Sequence, residues 1–124
     1  ATGLSYVVSD PSKSTTFNVY KSSKRYSSTT LLDNDVAGVN IASAWVMPRS
    51  NRMSFQMGYI NTQYLNQVPE REDDDYSYAL TYIYPVKRNA NVSFKIQSRE
   101  LDSTNDALDY EDLITTVSLE YFSR

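Results

Sequence analysis

Apolar and polar side chains alternate with period two along most of the chain, the pattern of strands whose two faces meet different surroundings. The clearest case is residues 76–84, where Tyr76, Tyr78, Leu80, Tyr82 and Tyr84 alternate with Ser77, Ala79, Thr81 and Ile83. It continues over 91–99, where Val92, Phe94 and Ile96 oppose Asn91, Ser93, Lys95, Gln97 and Arg99. The same period predicts strands over 3–9 (Leu4, Tyr6 and Val8 on one face), 15–26 (Phe17, Val19), 36–47 (Val39, Ile41, Trp45, Met47), 53–64 (Met53, Phe55, Met57, Tyr59) and 113–122 (Leu113, Val117, Leu119, Tyr121). No helical period of comparable length is present.

Turn-forming residues separate these seven strands unevenly. Short turns fall at 10–14, 48–52 and 85–90, and longer polar loops at 27–35, 65–75 and 101–112. Pro11, Pro48 and Pro85 each open a short turn at a constant spacing of 37 residues, which makes a hairpin plus a long loop the repeating unit. The expected fold is all-β, an antiparallel up-and-down meander over a single domain, residues 1–124. All short turns then lie at one end and all long loops at the other.

The apolar face of such a sheet packs on a core in a soluble sandwich and faces lipid in a membrane barrel. Several features favour lipid. The strands exceed the usual five or six residues. Loop length alternates with strand parity, and aromatic residues gather towards strand ends. Polar residues also recur in mid-strand on the opposite face. On this reading Trp45, Phe55, Tyr78, Leu80, Tyr82, Phe94, Val117, Leu119 and Tyr121 face lipid, and Gln56, Lys95, Gln97, Arg99 and Glu120 line a lumen. Single-chain bacterial barrels usually have an even strand number of eight or more. Seven strands leave three options: an overlooked strand, the C-terminal part of a longer barrel, or strands from other chains. The second is preferred.

Composition narrows the chemistry. Only 40% of residues are hydrophobic, the mean hydropathy is negative and no run of about 18 apolar residues exists, so no transmembrane helix is expected, although barrel strands do not need one. With no cysteine and no histidine, disulfides, thiolate zinc sites and histidine acid–base catalysis are excluded. The net charge is −3, with acidic residues concentrated in the long loops, and no basic stripe for nucleic acid is present. Glu70, Glu72, Asp73, Asp74 and Asp75 form a candidate cation-binding loop, but they lack the spacing and glycine of a calcium loop, and a solvated loop is the simpler reading. No nucleophile or phosphate-binding motif is present, so neither an enzyme nor a resident metal or cofactor is expected. Lys95, Arg99 and Glu120 either set the charge of a lumen or pair with one another. Lys21, Lys24 and Arg25 are candidate rim contacts to lipid phosphate or polysaccharide.

The strand–turn–strand units, the Arg71–Tyr76 segment (Arg-Glu-Asp-Asp-Asp-Tyr) before a tyrosine-rich strand, and the closing Val117-Ser118-Leu119-Glu120-Tyr121-Phe122, followed by Ser123-Arg124, resemble bacterial outer-membrane β-barrel proteins. The likeness is to porin-like barrels associated with exopolysaccharide export and exosortase systems, and also to large barrels that sheathe multihaem cytochromes. It implies a pore, export channel or membrane scaffold in the outer membrane of a Gram-negative bacterium. Membrane lipid or lipopolysaccharide would be its partner, with an exported polysaccharide or barrel-associated proteins as further candidates. The alternative is a soluble secreted β-sheet binding module of adhesin or carbohydrate-binding type.

Overall fold

In a computed structural model, described for residues 1–123, seven strands form one antiparallel sheet in sequence order. They are β1 (Thr2–Asp10), β2 (Lys13–Lys24), β3 (Asn34–Val46), β4 (Arg52–Tyr64), β5 (Arg71–Lys87), β6 (Ala90–Ser103) and β7 (Tyr110–Tyr121). The chain is therefore all-β, an up-and-down meander with short turns at one end and longer connections at the other. The sheet is open, since β1 pairs only with β2 and β7 only with β6. Arg124 lies outside the described residues.

The strands run further towards the loops than alternation predicts. The acidic run is the main correction: Glu72, Asp73, Asp74 and Asp75 belong to β5, paired with Gln63, Thr62, Asn61 and Ile60 of β4. Aspartate disfavours strands in isolation, but partners across the sheet compensate. Asn61 donates to Glu72 at 2.6 Å and to Asp74 at 2.9 Å, and Tyr59 donates to Asp74 at 2.6 Å. The third long loop likewise shrinks to residues 104–109, while β2 stops at Lys24 rather than 26.

The three short turns close differently. Asp10 accepts from the backbone N–H and the hydroxyl of Ser12, both at 2.8 Å. In the second turn Met47 N–H donates to Asn51 at 2.8 Å, and Arg49 and Ser50 adopt left-handed φ of 65° and 62°. In the third, register shifts between Pro85 and Lys87, a bulge placed where proline offers no N–H to the sheet.

Register places the apolar residues on one continuous face. One row runs Tyr6, Phe17, Ile41, Met57, Tyr78, Ser98 and Leu113, and the next runs Val8, Thr15, Ser43, Phe55, Leu80, Ile96 and Thr115. All nine residues expected to face lipid lie on this face. Tyr6, however, sits in mid-strand on the edge strand β1 rather than towards a strand end, where aromatic residues are expected to gather. No described residue covers the face: Ala90 is the one buried hydrophobic residue among them, whereas Tyr78 is 49% exposed and Phe94 48%.

Strand ends are staggered. The row containing the last β1–β2 pair, Asp10 and Lys13, reaches β5 at Tyr82, yet β5 continues to its last pair at Lys87. At the loop end the shift has the same sense: the Lys24–Asn34 row meets β5 at Arg71, whereas pairing with β6 begins at Asp73.

Candidate functional site

The opposite face is polar, and its residues are small near the middle. Gly38, Asn40, Ala42 and Ala44 of β3 lie beside Ser54, Gln56 and Gly58 of β4, followed by Ser77, Ala79 and Thr81 of β5. The Tyr20 ring lies across Gly38, where a Cβ would come within 2.4 Å of the ring. A Cβ on Gly58 would meet the Ser77 hydroxyl at 2.9 Å. Bulk on one face and small side chains on the other favour curvature towards the small face.

Two adjoining grooves open on that polar face. One, of about 280 Å³, is lined by Gln56, Ser77, Lys95, Gln97, Arg99 and Asp112, among others. The second, of about 290 Å³, is lined by Thr16, Ser54, Gln56, Thr81 and Lys95, among others. Lys95 and Gln56 border both.

All five residues expected to line a lumen share this face, but they do not form one cluster. Arg99 donates from Nε to both carboxylate oxygens of Asp75, each at 3.1 Å, with Nη2 completing the ion pair. Its guanidinium lies 5.7 Å from the centre of the Tyr110 ring, and Asp112 is its partner across β7. Glu120 sits in the row of Asn91, near the short turns, away from Arg99 and Lys95. The expected alternative of mutual pairing among Lys95, Arg99 and Glu120 is therefore replaced by an Arg99–Asp75 pair. Sequence reasoning missed Asp75 as that partner because 24 residues separate the two, and register alone brings them together. Tyr20 and Tyr110 were missed for the same reason.

At the long-loop end the sheet extends beyond its apolar rows. Arg71 pairs with Asp73 and lies 4.4 Å above the Tyr64 ring, while Asp73 also accepts from the Ser103 hydroxyl. Asp73 is only 6% exposed. Burial works against its ionisation, but Arg71 and Ser103 outweigh that and hold the carboxyl below the ordinary carboxylate value. Neighbouring loops are tied together here too, with Asn66 donating to the Thr30 carbonyl at 2.9 Å and Thr104 N–H to the Glu72 carbonyl at 2.9 Å.

The candidate cation-binding loop does not form as a loop. Glu72 and Asp74 project to the apolar side, Asp73 and Asp75 to the polar side, and Glu70 precedes the strand. Among the described residues no group of three or more Asp, Glu, His or Cys is placed to hold a metal ion. Of the candidate rim cations, Arg25 pairs with Asp35 at 2.9 Å and donates to the Asn34 carbonyl at 3.0 Å, closing the end of β2 and β3. No protein-family model matches the chain, and no curated protein or solved structure matches it either.

Proposed function

We propose that this sheet is a wall of an outer-membrane β-barrel of a Gram-negative bacterium, serving as a pore, export channel or scaffold without chemistry of its own. The observation that carries this reading is the uncovered apolar face spanning seven strands, backed by a polar, small-residue, grooved face. In water so large an apolar surface has no stable exposed state; in a bilayer, lipid covers it and water fills the other side. From Tyr76 to Tyr84 the apolar positions span roughly 25 Å along β5, which at a barrel-like tilt of about 40° is a height of roughly 20 Å, close to the apolar band of barrel proteins.

The stagger supports the same reading. If the short turns lie in one plane, the advance from Tyr82 to Lys87 across four strand spacings corresponds to a tilt of about 40°, within the barrel range. Closure adds a requirement. β1 and β7 run in the same direction, so joining them directly would make a parallel seam. An antiparallel barrel needs an odd number of further strands between them, from the same polypeptide or another.

Trp45 is the single tryptophan and lies on the apolar face, which makes it a clean probe. In lipid vesicles its fluorescence is expected to be quenched by brominated acyl chains and little affected by aqueous iodide. A folded, detergent-free soluble protein whose Trp45 is insensitive to brominated lipid would overturn the proposal in favour of a soluble binding module.

A further inference from the structure

We infer that Lys95 forms an oxyanion-binding step on the polar face and gives the pore a preference for anions. The inference rests on the barrel reading. Lys95 stands mid-strand on β6, in a row with Ser54, Thr81 and Thr116, and borders both grooves. Gln97 and Ser93 flank it along β6, and Gln56 lines both grooves beside it. These side chains supply hydroxyl and amide donors and no carboxylate.

The other charges on this face are engaged or remote. Arg99 is neutralised by Asp75, and Asp112, in the Arg99 row and without a salt bridge among the described residues, lines the far end of the first groove four residues from Lys95 along the strand direction. Asp73 is held by Arg71. Glu120 lies four residues away along the strand direction, in the Asn91 row, roughly 13 Å along the sheet and beyond one Debye length at physiological salt. Arg52, in the Ile83 and Ser93 row, is a second cation on the short-turn side and adds to the positive potential. Lys95 makes no salt bridge among the described residues. An ammonium without a salt-bridge partner, flanked by neutral donors and with Asp112 and Glu120 each roughly 13 Å away along the sheet, attracts an anion from solution. A carboxylate or phosphate oxygen can meet the ammonium and neighbouring hydroxyls together.

The test uses the full natural chain, purified from membrane and reconstituted in planar bilayers under a potassium chloride gradient. The reversal potential is expected to favour chloride, and inorganic phosphate to reduce the current. Lys95→Arg should retain both properties. Lys95→Glu should move the anion-to-cation permeability ratio towards cations by roughly threefold to tenfold and abolish the phosphate effect. Conductance with an unchanged reversal potential in Lys95→Glu would overturn the inference and leave the pore standing. Absence of conductance in every variant would remove the pore reading and the inference with it.

Discussion

The ring of Tyr20 occupies the space that a side chain at Gly38 would fill, and the two residues are direct partners across β2 and β3. Glycine is needed here for close approach rather than for unusual backbone angles. Gly38→Val forces the ring away or separates the strands, at an expected cost of about 1–3 kcal/mol. Urea unfolding of the variant in detergent or vesicles measures it. Combining it with Tyr20→Ala should recover part of the loss, since the smaller residue vacates the site. An equal loss with Tyr20 present or absent would show that the ring is not the cause.

Adjacent residues on β5 should respond oppositely to charge. Leu80 lies in mid-band on the apolar face, and Ala79 lines the groove on the other. In a bilayer, Leu80→Arg is expected to cost about 2–4 kcal/mol and Ala79→Arg less than about 1 kcal/mol. Reversible folding into vesicles, followed by Trp45 emission, compares them. Similar penalties at the two positions would contradict a lipid face and a wet face.

Strand number, direction and facing were legible because alternation is a local property and each strand carries enough residues to show it. Hence Phe94 and Lys95 fall on opposite faces as their sequence positions imply. The strand ends were less legible. Residues 72–75 look like a loop from their charge, yet Asn61 and Gln63 donate to Glu72, Asn61 to Asp74, Ser103 to Asp73 and Arg99 to Asp75, all from neighbouring strands. Pairings such as Arg99–Asp75 depend on register, and register is set by turn geometry and bulges that alternation does not encode. The grooves depend on Ala42, Ser54, Ser77 and Ala79 meeting across three strands, a coincidence visible only once the strands are aligned.

The second short turn holds Arg49 and Ser50 in left-handed conformations without glycine. Each such residue carries a backbone cost that glycine avoids. Ser50→Gly is therefore expected to stabilise the hairpin of β3 and β4 by about 0.5–1 kcal/mol, read as a higher urea midpoint. Ser50→Val should lower the midpoint, because a β-branched residue fits that region poorly. A midpoint that falls with glycine would contradict the turn conformation.

Acid should loosen the long-loop rim before the rest of the sheet. Asp73 has a folded-state pKa below its unfolded value, since Arg71 and Ser103 favour the carboxylate more than burial opposes it. Its stabilising contribution is thus complete above the ordinary carboxylate pKa of about 4 and is lost as pH falls through the lower folded value. Asp73→Asn keeps the size but removes the charge, leaving Arg71 without its partner. The variant should be less stable than the parent at pH 7, by about 1–3 kcal/mol, and the difference should narrow as pH drops below 4. Amide hydrogen exchange at Asn105, measured from pH 7 to pH 3 and corrected for intrinsic rates, reports this locally. Ser103 donates its hydroxyl to Asp73, and its Oγ accepts from Asn105 N–H at 3.2 Å, so losing the carboxylate loosens the Asn105 amide, whereas the Ser103 amide is held separately by Asp109 at 2.7 Å. A stability difference that stays constant across this range would mean that Asp73 acts through packing and not through its charge.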